Sequence, residues 1–140
     1  MTQNAVFQLD LPADLRYLPV VGACLGAILE RAEGIADPTE LRYNVELAVQ
    51  ETCTNIVEHA YEGRHDGRIA VQITLSHTPH CLIVDVRDTG KSFNPDLVAE
   101  PDLDTVQFRG YGLFLMKELM DQVNYQAGPV DNHWHLVKNL

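Results

Sequence analysis

Three polar residues, Glu51, Asn55 and His59, are spaced four residues apart in a segment whose apolar residues recur with helical periodicity. Residues at i and i+4 lie one above the other on a helix, so these side chains are predicted to form one polar stripe. A carboxylate can accept a proton, and an amide oxygen can coordinate Mg²⁺. Glu51 and Asn55 therefore offer two of the groups that a phosphoryl-transfer site needs. Taken alone, the motif is more simply a polar edge on an amphipathic helix, and direct chemistry by His59 is less favoured.

A second motif, Asp88-Thr89-Gly90, follows directly after an apolar segment. A carboxylate at a strand end can accept a hydrogen bond from the exocyclic amine of adenine. Guanine has an oxygen at that position, so two acceptors would then face each other. Gly90 lets the backbone approach a base closely. An ordinary Asp-x-Gly turn is the simpler explanation of this motif on its own.

The third motif has Gly110 and Gly112 at the entry of a predicted helix. Glycines before a helix N-terminus expose backbone N–H groups and the positive end of the helix dipole, which together can bind phosphate. Arg109 adds a fork of donors for a phosphate oxygen. A lone Gly-x-Gly is a weak signal, but the three motifs together indicate an ATP site.

Length and charge limit the classes of protein that the chain can be. The 140 residues predict a single domain, residues 1–140. Ten basic and twenty acidic residues give a formal net charge of -10, which disfavours nucleic acid as a partner. The longest apolar run is too short to span a membrane and no signal peptide is predicted, so a cytoplasmic protein is expected. The three cysteines are predicted to be buried thiols.

Hydrophobic periodicity and turn residues predict the elements that carry these motifs. Strands are predicted over residues 6–11, 69–75, 82–86, 123–127 and 134–140, and helices over residues 12–33, 38–63 and 110–121. The irregular segment 90–107 is expected to be functional because loops of that length are uncommon in compact domains. The strands cluster, so we expect a two-layer α+β sandwich with a mixed, mostly antiparallel sheet and helices on one face. His133 and His135 are expected to be surface histidines on the last strand.

The order of the motifs resembles the ATP-binding domain of the gyrase and histidine kinase superfamily, which is known as the Bergerat fold. The longer strings resemble more narrowly the bacterial anti-sigma factor serine kinases, and the resemblance extends from about Phe7 to Leu140. These strings are Glu51 to Tyr61, Asp88 to Pro95, Gly112-Leu113, Leu119-Met120-Asp121 and Leu136-Val137-Lys138.

This resemblance implies roles for the first two motifs. Asn55 would be the Mg²⁺ ligand that bridges the metal ion to the triphosphate of ATP. Glu51 would be the catalytic carboxylate that activates the acceptor hydroxyl. Asp88 would bind the adenine amine, and Gly90 would lie beside the base.

The resemblance also implies a phosphate cradle. Gly110 and Gly112 would let the loop fold over the phosphates, with Leu113 in the same nucleotide-binding set, and Arg109 would neutralise charge there. The segment from about Asn94 to Arg109 would be a mobile lid over ATP.

Proteins of this family phosphorylate a serine on a small anti-anti-sigma protein and sequester a sigma factor, usually as homodimers. A non-catalytic module that binds ATP, or only a partner, and acts by sequestration has the same motifs, because nucleotide binding does not require turnover. The catalytic half of a histidine kinase is less favoured, since no phospho-acceptor helix is seen ahead of the domain.

The chain departs from the superfamily pattern at two places. A Gly-Thr pair often precedes the last strand, where the Thr helps to hold adenine, and here Asp131 and Asn132 stand nearest to it. Phe108 and Arg109 stand where a more flexible run is common.

Overall fold

A computed structural model describes residues 4–64, 66–92 and 108–140 of the chain. The strands are β1 (Ala5–Pro12), β2 (Arg68–His77), β3 (His80–Asp88), β4 (Gln122–Ala127) and β5 (Asn132–Asn139). The helices are α1 (Leu18–Glu30), α2 (Pro38–Asn55) and α3 (Phe108–Leu119). A 3₁₀ turn (Leu15–Tyr17) precedes α1, and one π-helical turn (Ile56–Ala60) extends α2.

The five strands form one sheet in the order β1-β2-β3-β5-β4. The predicted hairpin is confirmed: β2 and β3 pair from Ala70 opposite Arg87 to His77 opposite His80. The predicted α+β class is confirmed as well. Every strand pairing in the described part of the chain is antiparallel, so the parallel minority expected of a mixed sheet is not found there.

One face of the sheet is buried against the helices. Alternate residues of the central strands point into this core: Ile69, Val71, Ile73, Leu82, Val84, Val86, Trp134 and Leu136. Burying one such side chain contributes about 1.5–3 kcal/mol relative to leaving it exposed. The helix residues that face them include Val21, Leu25, Val45, Val49 and Met116. The sandwich therefore has helices on one face of the sheet, as expected.

The first helix begins later than the sequence predicted. Pro12 is the last residue of β1, and the Asp14 carboxylate accepts a hydrogen bond from the Arg16 N–H, which caps the 3₁₀ turn. The α-helix starts at Leu18 with Pro19 in its first turn. The Pro and Asp signals mark a real cap, but it is the cap of a short turn that feeds the helix.

The second helix was predicted to continue to near Gly63, and its α-helical part ends at Asn55. The π-helical turn that follows ends at Ala60, and Glu62 and Gly63 then adopt left-handed backbone with φ of 53° and 75°. A π turn closes i→i+5 hydrogen bonds, and His59 lies on this turn. The part of the predicted stripe that lies on the α-helix is therefore Glu51 and Asn55.

Two of the three cysteines are buried, as the sequence predicts. Cys53 and Cys81 are buried and Cys24 is half-buried, all as free thiols. Burial raises the pKa of the Cys53 thiol to about 12, which keeps it protonated and unreactive. Among the helices that the structure describes, none is long and apolar enough to cross a membrane.

Candidate active site

Helix α2 presents Glu51 and Asn55 at the edge of the core. The Asp37 carboxylate caps its N-terminus by accepting a hydrogen bond from the Glu40 N–H (3.1 Å), and Pro38 occupies its first turn. Glu51 and Asn55 are half-buried, beside the fully buried Thr52. The predicted amphipathic pattern of α2 is thus confirmed, with the two polar residues at the boundary of its buried face.

A buried contact fixes α2 against α3. The Thr52 hydroxyl oxygen lies 2.9 Å from the Ala48 carbonyl oxygen and 2.8 Å from the Met116 sulfur, so it can donate to either. Met116 lies on α3 and is fully buried. The helix that carries the first motif is therefore held at a fixed distance from the helix that carries the third.

The third motif meets the first at Gly112. A Cβ atom at this position would lie 3.0 Å from the Glu51 Oε2 atom and 3.3 Å from the Asn55 Nδ2 atom. Any side chain there would press on the carboxylate or the amide, so glycine leaves the space beside both groups open. Leu113, the next residue, is buried in the core.

The glycines of the third motif lie at the entry of helix α3, and this helix begins two residues earlier than predicted. Helix α3 begins at Phe108, so Gly110 and Gly112 belong to its first two turns. The first four backbone N–H groups of an α-helix have no partner within the helix, and Gly110 carries one of them. The Arg109 side chain and the predicted lid, apart from its last two residues, lie outside the described residues.

The Glu51 carboxyl group has an altered proton affinity. Burial raises the pKa of Glu51 above its usual value, and the negative charge of Glu58 raises it further. Glu58 lies on the π-helical turn and is exposed. A carboxylate with a raised pKa is a better proton acceptor at neutral pH than an ordinary one.

The second motif holds a buried carboxylate at the end of β3. Asp88 is only 3% exposed, and its Oδ1 atom accepts hydrogen bonds from the Gly90 N–H (2.9 Å) and the Asn132 side-chain amide (3.0 Å). Burial raises the pKa of Asp88, and these two hydrogen bonds act in the opposite direction. Among the described residues both donors reach Oδ1, so within that part of the chain Oδ2 is the oxygen left for a ligand donor.

The second motif packs on the end of the first at Gly90. A Cβ atom there would lie 2.5 Å from the Ala60 carbonyl oxygen, which also accepts a hydrogen bond from the Lys91 N–H (2.7 Å). Tyr61 adds a second link, because its hydroxyl accepts a hydrogen bond from the Thr89 N–H (2.9 Å). The three motifs are therefore joined through α2 and its π-helical turn.

The sequence alone does not indicate the part played by Asn132. This residue is 2% exposed, and its amide group donates to both Asp88 Oδ1 and the Gly90 carbonyl oxygen (3.0 Å each), while its oxygen accepts from the Ser92 hydroxyl (2.9 Å). Asn132 stands directly opposite Asp88 in the β3–β5 pairing. The strand register was the signal that could have found it.

Two further predictions concern histidines. His59 is half-buried on the π-helical turn. His133 and His135 lie on the open face of the sheet, as expected, but they are not free surface residues. Each places a ring nitrogen 2.6 Å from the Oδ1 atom of Asp85, and each is half-buried.

Comparison with protein families and curated proteins gives consistent matches. Residues 11–138 match the family described as the histidine kinase-like ATPase domain. A protein named serine-protein kinase RsbW from Bacillus pumilus is 31% identical over 132 residues, which cover 87% of this chain and 78% of the relative. The protein of the same name from Listeria monocytogenes is 34% identical over 131 residues, which cover 87% of this chain and 80% of the relative.

Solved structures share the fold. The RsbU and RsbW domains of a Mycobacterium tuberculosis protein superimpose with a TM-score of 0.70 at 19% identity, covering 97% of this chain and 32% of that one. This chain thus spans about a third of that longer structure. A blue-light activated histidine kinase domain from Erythrobacter litoralis superimposes with a TM-score of 0.59 at 20% identity, covering 93% of this chain and 62% of that one.

Proposed function

This chain belongs to the histidine kinase-like ATPase family, in its branch of anti-sigma factor serine kinases, and we propose that it transfers phosphate from ATP to a protein serine. The acceptor is an anti-anti-sigma protein, and the chain also sequesters a sigma factor. The observation that carries this proposal is the packing of Gly112 against both Glu51 and Asn55. The relatives named serine-protein kinase RsbW support the same reaction.

Asp88 binds the adenine ring of ATP in this proposal. Its Oδ2 atom accepts a hydrogen bond from the exocyclic amine, while Gly90 and Asn132 hold Oδ1. The buried carboxylate would face the oxygen of guanine as a second acceptor, so the site selects adenine. Gly90 lies beside the base in this proposal, and it packs against the Ala60 carbonyl group, where a Cβ atom would clash.

Asn55 and the start of α3 hold the triphosphate. The Asn55 side-chain oxygen fits Mg²⁺, a hard cation that prefers oxygen ligands and would neutralise phosphate charge when bound. Gly110 presents its backbone N–H group and the positive end of the α3 dipole to the phosphates, and Gly112, with Leu113 behind it, leaves open the space beside Glu51 and Asn55. Arg109 provides additional positive charge.

Glu51 acts as the general base. Its carboxylate takes the proton of the serine hydroxyl as the serine oxygen bonds to the γ-phosphorus and the bond from that phosphorus to the ADP oxygen breaks. The raised pKa of Glu51 suits this role near neutral pH. Phosphoryl transfer otherwise requires mainly positioning and charge stabilisation, which the packed α2–α3 contact supplies.

We further propose that residues 1–140 form one domain that acts as a homodimer in the cytoplasm, without nucleic acid or membrane partners. The net charge of -10 supports the exclusion of nucleic acid. A non-catalytic ATP-binding module is the alternative, and the half-buried carboxylate beside Asn55 favours the kinase, because nucleotide binding alone has no need of a base.

The decisive experiment incubates the protein with Mg-ATP and the cognate anti-anti-sigma protein and measures phosphoserine formation. We expect transfer by the parent and a loss of about 10²–10⁴-fold in Glu51→Gln, with ATP affinity changed by less than about threefold. Glu46→Gln, on the same helix, is the matched control. If the parent binds ATP but transfers no phosphate, the protein is the non-catalytic sequestering module. If Glu51→Gln transfers phosphate at the parent's rate, Glu51 is not the general base.

A further inference from the structure

A row of polar side chains crosses the face of the sheet that is not covered by the helices. The strand registers place Gln8, Gln72, Asp85, His135 and Asn124 side by side, one from each strand. In β3 this face is the side opposite the buried Val84 and Val86. His133 adjoins the row on the same face, two residues before His135.

Three of these side chains converge. The Oδ1 atom of Asp85 lies 2.6 Å from His133 Nε2 and 2.6 Å from His135 Nδ1. Their side chains are partly shielded from solvent, with exposed fractions of 17% for Asp85, 22% for His133 and 36% for His135. The three donor atoms all lie within 4.8 Å of one another.

We propose that Asp85, His133 and His135 form a binding site for a divalent transition-metal ion, of which Zn²⁺ fits best. Two imidazole nitrogens and one carboxylate oxygen are a ligand set that Zn²⁺ accepts, with a fourth position left for water or substrate. Hard ions such as Mg²⁺ prefer sites made of oxygen atoms, so the two imidazoles select against them. The site is independent of the proposed kinase activity.

The geometry requires little movement to admit the ion. Ligand atoms about 2.1 Å from a tetrahedral Zn²⁺ are about 3.4 Å apart, and small rotations of the two imidazole rings away from Asp85 provide that spacing. The backbone holds the ligands close, because Asp85 and His135 are directly opposite in the β3–β5 pairing. His133 and His135 are two residues apart on β5 and therefore share one face.

Nearby groups are compatible with a bound cation. Arg87 lies opposite His133, but its guanidinium is 3.3 Å from the Asp131 carboxylate, which offsets its charge. On the other side, Gln126 and Asn124 of β4 stand opposite His133 and His135, and both are exposed. Their amide oxygens can bind water in the fourth position.

The site lies back to back with the proposed adenine pocket. Asp85 precedes Asp88 by three residues on β3, and His133 follows Asn132 on β5. Asp88 and Asn132 are hydrogen-bonded to each other. The same two strands therefore carry both sites, on opposite faces of the sheet.

The test titrates ZnCl₂ into the full chain after chelator treatment and records the heat of binding. We expect one saturable equivalent per chain, weakened at least about tenfold in His133→Gln and in Asp85→Asn. His77→Gln, which alters an exposed histidine at the end of β2, should bind as the parent does. Circular dichroism of each metal-free variant shows whether it has folded. If only one of the two variants folds, the comparison of that variant with the parent is enough to test the site.

A second measurement distinguishes this site from the cysteines. The Co²⁺-loaded parent should give the visible bands of a four- or five-coordinate ion without a thiolate charge-transfer band. No saturable Zn²⁺ binding, equal binding by the parent and both variants, or a thiolate band with Co²⁺ would each overturn the proposal. In those cases the three side chains form only a hydrogen-bonded group.

Discussion

The two ends of the proposed nucleotide site are built differently. At the adenine end, Asp88 and Asn132 are almost fully buried and tied together by hydrogen bonds. At the phosphate end, Glu51 and Asn55 are half-buried, and van der Waals contact with Gly112 sets the space beside them. A preorganised hydrogen-bonded end favours affinity and selectivity, whereas an open end leaves room for groups that arrive with the substrate. The difference predicts that substitutions at the two ends affect different measurements.

The largest expected effect in binding is at the adenine end. Asp88→Asn places an amide group among the donors from Gly90 and Asn132 and removes the charged acceptor for the adenine amine. We expect ATP affinity to fall about a hundredfold by calorimetry, because buried hydrogen bonds to charged groups contribute about 1.5–3 kcal/mol. Asp66→Asn, at an exposed position, is the control. Equal affinity in Asp88→Asn and the parent would contradict the adenine assignment.

At the phosphate end, Gly112→Ala should impair transfer more than binding. The added methyl group would lie 3.0 Å from Glu51 Oε2, so the carboxylate must shift by a few tenths of an ångström. We expect the transfer rate at saturating ATP to fall about tenfold, since small misplacements of a base are costly. Gly22→Ala meets only Gln50 Nε2 at 3.4 Å and should leave the rate unchanged. A normal transfer rate in Gly112→Ala would mean that the absence of a side chain at this position is not needed for phosphoryl transfer.

Asn132→Ala tests whether the adenine end is preorganised. The substitution removes the donor to Asp88 and Gly90 but leaves the carboxylate in place. We expect ATP affinity to fall about fivefold and the free energy of unfolding to fall by about 1–3 kcal/mol, because a buried acceptor loses its partner. The exposed Asn139→Ala is the control for unfolding in urea. If the free energy of unfolding of Asn132→Ala equals that of the parent, the hydrogen bonds from Asn132 to Asp88 and Gly90 do not stabilise the adenine pocket.

The smallest expected effect is electrostatic. The negative charge of Glu58 raises the pKa of Glu51, so Glu58→Gln should lower that pKa. A general base acts when deprotonated, and the variant should therefore retain its transfer rate to lower pH than the parent does. Burial is the larger cause of the raised pKa and remains in the variant. The pH below which the transfer rate falls should therefore stay above the pKa of an ordinary glutamate. If the rate of the variant falls at the same pH as that of the parent, or at a higher pH, the charge of Glu58 does not raise the pKa of Glu51.

Local residue patterns predicted the secondary-structure elements well. The side-chain contacts between distant strands depend on long-range pairing, which those patterns do not contain. The β2–β3 hairpin and the buried face of α2 follow from residue periodicity, which can be seen within a short stretch of sequence. The role of Asn132 depends on its contact with Asp88, which is 44 residues away in the chain. Helix α3 begins at Phe108, two residues before the predicted start, because residue periodicity defines the ends of a helix less sharply than its middle. The Asp85–His135 pairing likewise appears only when the strand register is known.

The most direct test of the phosphate end measures ATP binding with and without Mg²⁺ in the parent and in Asn55→Ala. If the Asn55 oxygen holds the metal ion, Mg²⁺ should tighten ATP binding to the parent, and this gain should largely disappear in the variant. Binding in the presence of a chelator should be similar for both proteins, since Asp88 and the adenine pocket are unchanged. An equal Mg²⁺-dependent gain in the two proteins would contradict the assignment of Asn55 and the account of the site that depends on it.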